Sequence, residues 1–407
     1  AVNSSGGYVF QNIFPIDTGG QIWGSPLLAD IDLDGFDDII FVSSSGNVYA
    51  IDFQGIKWTF NIDSQLIGTP AIANINNDDF LEIIFSGYSN NQNNYFVLSH
   101  LGEKLSTVDV FEKSRTVFAV FDVNNNNIDD VVFGTDDNHI YLIEDNQTIA
   151  NGFPFEAEGK FRLSPTILEL PYKKVILAPC KNKTLYSIYS SGEIDFSIEF
   201  DNYISTSATI LEYDNRVMIF IGLENGDIYA INEYGENLFS FNIGAKVVGS
   251  VIFSDFNNDN IPEIVAVNNI GDLYTFNIDG GDFDYFPISY DFPYSTTPLV
   301  TDIDNDSDLE IIGGTANSIV AIDIKNNNND NSYWNMYGYN SKRQNHFTVE
   351  YNCTAGDLDQ NDLVNIFDII ILVQCVLSED CFACSDVNLD GEYNILDVIE
   401  LINLILS

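Results

Sequence analysis

Five stretches of the chain place oxygen-bearing side chains at alternate positions of a nine-residue loop. The fullest is Asp30-Ile-Asp32-Leu-Asp34-Gly35-Phe36-Asp37-Asp38. Asp30, Asp32, Asp34 and Asp38 hold positions 1, 3, 5 and 9, and position 7 is expected to offer the Phe36 carbonyl. Alternate residues of a tight loop point inward, so these oxygens converge on one point. Hard oxygen ligands, about six to eight in flexible geometry, suit Ca²⁺, whereas Mg²⁺ demands a stricter octahedron. The same spacing recurs in Asn74, Asn76, Asp78, Phe80 and Glu82, and in Asp122, Asn124, Asn126, Ile128 and Asp130. It recurs again in Asp255, Asn257, Asp259, Ile261 and Glu263, and in Asp302, Asp304, Asp306, Asp308 and Glu310. In each set the fourth residue offers its carbonyl. A single loop of this kind also reads as a metal-free polar turn; five at one place in a repeat favour calcium. By carboxylate count, the first and last loops should bind most tightly and the second and third least.

Two further loops lie near the C-terminus, each twelve residues long. Asp357, Asp359, Asn361, Leu363 (through its carbonyl), Asn365 and Asp368 form one; Asp386, Asn388, Asp390, Glu392 (carbonyl), Asn394 and Asp397 form the other. Each runs directly into an apolar stretch expected to be helical, Ile366 to Leu377 and Ile395 to Leu406. Gly391 stands at position 6, where an EF-hand loop bends sharply, and Asp362 takes that place in the first copy.

The elements that must position the nine-residue loops come from a repeat. Seven segments open on a small residue, at Ser25, Thr69, Thr116, Ser164, Ser207, Ser250 and Thr297, spaced by 43 to 48 residues. Ser25 to Ile62 reads as strand, acidic loop, strand, turn, strand, turn, strand. Its apolar residues follow period two or solid runs, never a helical period. Four strands in 40 to 50 residues mark a β-propeller blade. The expected fold is therefore mainly β: a seven-bladed β-propeller over residues 1–350, plus a small helical module over 351–407. Repeat seven leaves the pattern after its third strand, and Tyr8 to Asp17 reads as an orphan strand that would complete it and close the ring. Repeats four and five lack the loop, with Pro171-Tyr172-Lys173-Lys174 and Tyr213-Asp214-Asn215-Arg216 in its place.

Composition agrees. Lys and Arg number 15 against 61 Asp and Glu, a formal net charge of −46, which repels nucleic acid and anionic headgroups. No membrane insertion is expected either, because the longest apolar run is too short to span. Hydrophobic residues at 45% exclude disorder as the explanation of that charge. Cys180 stands alone and reads as a buried strand thiol. Cys353, Cys375, Cys381 and Cys384 crowd into the last 55 residues, a disulfide framework in an oxidising compartment or, through the Cys381-Phe-Ala-Cys384 spacing, a zinc or redox site. The chain opens on Ala-Val-Asn, expected for a mature form whose targeting peptide has been removed.

The loops with their Phe133-Gly134 follow-on resemble the FG-GAP or VCBS repeat family, which includes the propellers of integrin α-subunits. That resemblance covers roughly residues 8–350 and implies calcium on the blade loops, an extracellular setting and binding rather than catalysis. Tyr333-Trp334-Asn335-Met336-Tyr337-Gly338-Tyr339 is similar to a Trp-x-Met segment that closes many bacterial propellers; its aromatics are read as packing over the ring, with a ligand patch as the alternative. Residues 353–407 resemble a type I dockerin, which implies a cohesin-like partner. The extra cysteines depart from that family, and the pairings expected are Cys375 with Cys381 and Cys353 with Cys384.

No HExxH, GxSxG or phosphate-binding glycine loop is present, so no enzyme is expected. His139 reads as a turn residue, and His346, beside Lys342 and Arg343, as surface or an anion contact. The function expected is that of an extracellular structural or binding protein assembling through its C-terminal module. The partner is either other copies of itself in a fibre or a cohesin-like scaffold. Alternatives are an adhesion propeller with a glycan or protein ligand and, less so, a calcium-dependent polysaccharide lyase. The apolar helices carry more surface than they can bury against each other, and the excess must face the propeller or another molecule.

Overall fold

The computed structural model describes residues 15–88, 95–110, 112–145, 147–170, 173–214, 216–278, 280–281, 283–325, 333–349, 356–358, 363–378, 385–388 and 393–406. Among these residues the strands form seven sheets, one per sequence repeat. Sheet one is a simple antiparallel meander of Leu27–Ala29, Asp38–Val42, Asn47–Asp52 and Gly55–Asn61. Its register pairs Leu27 with Ile40, Val42 with Val48, and Val48 with Phe60. The turn between its middle strands needs Gly46, at φ 88°, because a Cβ there would stand 2.3 Å from the Ile62 carbonyl oxygen.

Sheets two to six repeat this meander within residues 71–108, 119–156, 166–199, 209–242 and 247–289. Sheet seven has three strands among the described residues: Leu299–Thr301, Leu309–Gly314 and Ile319–Ile324. The expected N-terminal closing strand lies mostly outside the described residues, and residues 15–17 are in no strand. Second strands such as Glu82–Ser86 are buried on both faces, while fourth strands such as Gly55–Asn61 alternate with solvent. Burial therefore rises from the last strand of each sheet towards the first two. Core clusters link successive sheets: one with two, two with three, three with four, and four through seven.

The small residues that open the repeats have a structural task. All seven lie near one another, and six of the seven line a single cavity together with Arg115, Arg162 and Tyr337. They join neighbouring sheets: the Ser25 amide donates to Thr69 Oγ1 (2.9 Å), Val117 to Ser164 Oγ (2.8 Å), Ser164 to Ser207 Oγ (3.0 Å) and Ser250 to Thr297 Oγ1 (2.8 Å). The approach is close enough that a Cβ on Gly24 would meet the Gly68 oxygen at 2.4 Å.

Residues 333–349 cross over the first strands of several sheets. Backbone carbonyls of Trp334, Asn335, Ser341, Gln344 and Asn345 accept amides of Phe253, Val300, Leu28, Val120 and Ile167, at 2.8–3.0 Å. His346–Thr348 then adds a parallel fifth strand to sheet four, pairing with Ile167–Glu169. Trp334 is buried at 1% exposure and stacks near Phe347 and Tyr339. Trp334, Tyr339 and Phe347 thus pack against one another, in keeping with the packing reading, while Tyr337 lines the cavity at the repeat starts. One peptide stretch holds together five sheets through bonds that individually contribute about 1 kcal/mol.

At the C-terminus, helix α1 (Ile366–Ser378) packs on α2 (Ile395–Leu406) around Leu358, Leu372, Cys375, Val398 and Leu401. Cys375 is disulfide-bonded, and Cys180 is free and buried. The Cys375–Cys381 and Cys353–Cys384 pairings lie outside the described residues because Cys353, Cys381 and Cys384 do.

Candidate metal centres

The five nine-residue loops share one backbone path. In every one, position 4 has positive φ: Leu33 (61°), Asn77 (57°), Asn125 (58°), Asn258 (61°) and Asn305 (61°). Four of the five repeat this at position 6, with Gly35, Asn127, Asn260 and Ser307. Asn and Gly tolerate this left-handed region best. The alternation turns odd-numbered side chains towards the loop interior.

Side chains hold that path in the same way each time. The position-1 oxygens accept amides three to five residues on: Gly35 to Asp30 (2.8 Å), Asn77 to Asn74 (3.0 Å), Asn258 to Asp255 (2.7 Å) and Asn305 to Asp302 (2.7 Å). In loop three Asp122 takes the amides of Asn126 and Asn127. The position-5 oxygens of Asp34, Asp78, Asn126, Asp259 and Asp306 each accept the amide of position 7, at 2.7–3.0 Å. The position-7 carbonyls of Phe36, Phe80, Ile128, Ile261 and Asp308 are the ones a cation-binding loop of this spacing would use.

Position 9 is the telling one. Asp38, Glu82, Asp130, Glu263 and Glu310 are all buried. One oxygen of Glu82, Asp130, Glu263 and Glu310 accepts the position-2 amide, at 2.7–3.1 Å. Burial pushes Glu82 and Glu263 up to about 7 and Asp130 up to about 6, and raises Asp38 and Glu310 as well. A carboxylate stripped of water at the same place five times asks for a positive charge. The donor set fits calcium on geometry too. Oxygens of Asp30, Asp32 and Asp34 lie within 4.8 Å of one another, as do those of Asp302, Asp304 and Glu310. That is the span across one ion with ligands about 2.4 Å from its centre. Asp32 Oδ1 and Glu310 Oε1 are buried without any hydrogen bond. In loops two and six the side-chain amides of Asn76 and Asn257 meet Glu82 (3.1 Å) and Glu263 (3.0 Å). Rotation of either amide would turn its oxygen inward instead.

Two lysines that the repeat pattern did not single out enter the most acidic loops. Lys57 Nζ stands 2.7 Å from Asp32, 2.9 Å from Asp38 and 3.9 Å from Asp34. Lys325 Nζ stands 2.6–3.2 Å from Asp323, Asp306 and Asp308. Carboxylate count alone therefore overstates the field these loops offer a dissolved ion. Among the described residues no lysine pairs with the carboxylates of loops two, three and six, although Lys174 Nζ reaches the Asp122 carbonyl and Asn125 Oδ1 of loop three. Asp129 was also missed: it is half-buried, its carboxylate accepts the Asn74 amide (2.7 Å), and its own amide donates to the Asn74 carbonyl (2.8 Å), tying loop two to loop three. Its signal in the sequence was only a second carboxylate beside position 9.

Repeats four and five replace the loop by a two-residue hairpin. Leu170 pairs with Lys173, and Tyr213 with Arg216. Lys174 Nζ then reaches Glu169 (2.8 Å), Asn125 Oδ1 (2.6 Å) and the Asp122 carbonyl (2.8 Å). Lys173 Nζ pairs with Asp195 (2.8 Å) and the Glu233 carbonyl (2.7 Å). His346 is more than surface: its Nε2 lies 2.7 Å from Glu169 Oε2. Burial opposes the charge on Glu169, but His346 and Lys174 prevail and hold it down at about 2.

In the C-terminal loops, Asp368 and Asp397 at position 12 are fully buried. Asp368 accepts the amides of Leu358 and Asn365 (both 2.7 Å); Asp397 accepts those of Val387 and Asn394 (both 2.9 Å). Asn365 and Asn394 cap the helices by accepting the amides of Phe367 and Leu396. Each loop and helix start is thus locked by a reciprocal capping box. Asp357, Asn388 and the Leu363 carbonyl belong to the same loops. Asp359, Asn361, Asp390 and Glu392 lie outside the described residues, as does Gly391.

No family model matches the sequence, and no curated protein matches it. Solved structures match the fold. BBS1N, in a crystal structure with ARL6DN soaked with lead, is 10% identical at TM-score 0.53, over 76% of this chain and 95% of that one. BamB from Moraxella catarrhalis is 15% identical at TM-score 0.54, over 76% of this chain and 84% of that one. Sqt1 from Saccharomyces cerevisiae is 14% identical at TM-score 0.55, over 71% and 81%. The fold is that of a β-propeller with a small helical C-terminal addition.

Proposed function

We propose that the seven sheets are the blades of a closed FG-GAP-type propeller whose five acidic loops hold Ca²⁺, and that the helix pair is a dockerin-like docking module. The protein is read as a non-catalytic, calcium-stabilised extracellular assembly subunit. The carrying observation is a duplicated apolar stripe. Ile366, Ile370, Val373 and Leu377 on α1 are 37–79% exposed, and Ile395, Ile399, Ile402 and Leu406 on α2 span the same range. The two sets keep identical spacing, each running from the first turn of a helix whose start is locked by a buried Asp. Helix faces of this kind are expensive to leave in water and suit a protein partner, a second copy or a cohesin-like scaffold. That BBS1N was crystallised with ARL6DN is in keeping with protein partners for such propellers.

The test is to purify the full chain with Ca²⁺ and follow it by light scattering and electron microscopy, alongside the Ile370→Lys, Ile399→Lys double variant. Ordered assemblies of the wild type, lost in the variant, support self-assembly. A wild-type monomer that captures a cohesin domain, while the variant does not, supports scaffold docking. A monomer indifferent to cohesin overturns the docking reading.

A further inference from the structure

The cavity at the repeat starts has a volume of about 310 Å³ and lies at the opposite end of the first strands from the acidic loops. Tyr337 lines it, with its hydroxyl 3.3 Å from Ser164 Oγ. Its rim carries hydroxyls from many repeats, including Ser205, Ser250, Ser295 and Thr297. Arg115 and Arg162, from neighbouring repeats, also line it, as does Trp23, which is 58% exposed. The Trp23 Nε1–H donates to Gln21 Oε1 (2.8 Å), which fixes the ring.

Cations are gathered near this end. Arg162 is bidentate on Asp136 (2.7 and 3.0 Å), and Arg115 lies 3.5 Å from the same carboxylate. Lys246 and Lys181 share Glu224, at 2.9 and 3.8 Å. Four cations thus divide two carboxylates in a chain with only 15 Lys and Arg against 61 Asp and Glu. Burial opposes the charge on Asp136, yet Arg162, Arg115 and Lys160 hold it below the usual carboxylate range. Arg162 spends two N–H groups on Asp136 and, having five, keeps others for a ligand. Arg115 is braced by Tyr88, over whose ring it sits at 4.9 Å.

We infer that this cavity binds a carboxylate-bearing saccharide unit, with Arg115 and Arg162 on the carboxylate, the hydroxyl rim on the sugar hydroxyls and Trp23 against a ring face. A guanidinium fork matches a carboxylate as no neutral group does. An exposed indole beside many hydroxyls suits a polyhydroxylated ring with an apolar face better than a bare anion. The site is independent of the helix stripe, so its failure would leave the docking reading untouched.

The experiment is calorimetric titration of the full chain, with Ca²⁺ held in fixed excess, by galacturonate, galactose, acetate, tetragalacturonate and an acetylated dialanine with a free C-terminal carboxylate. Galacturonate is expected to bind at least about tenfold more tightly than galactose, acetate or the peptide. Arg162→Gln and Arg115→Gln should each weaken it about tenfold, whereas Lys104→Gln should leave it unchanged. Two arginine variants are used so that one that melts early can be set aside. Tighter binding of tetragalacturonate would assign the site to a polysaccharide end, and binding of the monomer alone to a free sugar acid; either supports the inference. No heat with galacturonate, equal binding of galactose, acetate or peptide, or binding unmoved in both arginine variants would overturn it, the last by placing the sugar on the calcium loops.

Discussion

Sheets four and five solve a problem differently from the other five sheets. In sheets one, two, three, six and seven, a nine-residue loop gathers oxygens around a buried position-9 carboxylate. In sheets four and five a two-residue hairpin closes the same pair of strands, and in sheet four Lys173 and Lys174 bring their charge with the chain. A covalently attached ammonium needs no solution concentration; a loop of carboxylates does. Loops one and seven stand between the two cases, because Lys57 and Lys325 already reach into them. If the loops hold Ca²⁺ as proposed, the charge count within a loop is not enough to rank its demand for the ion. On that reading the ranking follows the buried carboxylates that have no paired ammonium among the described residues, Glu82, Asp130 and Glu263.

The largest effect should come from loop six. Glu263→Gln keeps the shape and removes a ligand, so in saturating Ca²⁺ it should lose most of what one site contributes, about 2.7 kcal/mol at 100 Kd. With chelator present the same variant should melt no lower than wild type, because Gln is easier to bury than a carboxylate. Thermal melts in both buffers check the reversal. Next, Lys174→Met should cost about 2 kcal/mol with or without calcium, since it strands Glu169 and carbonyl Asp122. Urea titration in the two buffers decides: a calcium-dependent penalty would erase the contrast between the two kinds of sheet. Smaller is the effect of Lys57→Met, expected to tighten Ca²⁺ binding at loop one by about tenfold, read by calorimetry. Unchanged affinity would mean the ammonium does not compete.

Smallest is a pH effect at Glu169. Its folded pKa, about 2, lies below the ordinary value of 4.5 given its pairing with His346 and Lys174. Stability from this depression is present above pH about 4.5 and is lost as pH falls towards 2. Glu169→Gln should therefore trail wild type by about 1 kcal/mol at neutral pH, after allowance for solvent screening, and converge with it near pH 2. A constant gap would contradict the pairing.

Much of this was legible in the residues. Oxygens at alternate positions and small residues opening each repeat are local signals, and they located all five loops and seven sheets. Lys57 was not legible as a loop partner: it lies 19 residues beyond Asp38, on the fourth strand, and only the meander folds it back. The bridging role of residues 333–349 was equally hidden. Its bonds are backbone carbonyls to amides of distant strands, and backbone groups carry no residue-type signature. In the cation cluster, Arg115 with Asp136 joins repeats two and three, and Lys181 with Glu224 joins repeats four and five, through contacts that no spacing along the chain announces.

The central claim is that the acidic loops need a dissolved cation. It is tested most directly by melting the full chain in EGTA and again across a Ca²⁺ titration. The account predicts a large rise in Tm with Ca²⁺, with stability growing logarithmically in its concentration and several ions bound per chain. A melting curve that is the same in EGTA and in excess Ca²⁺ would contradict it.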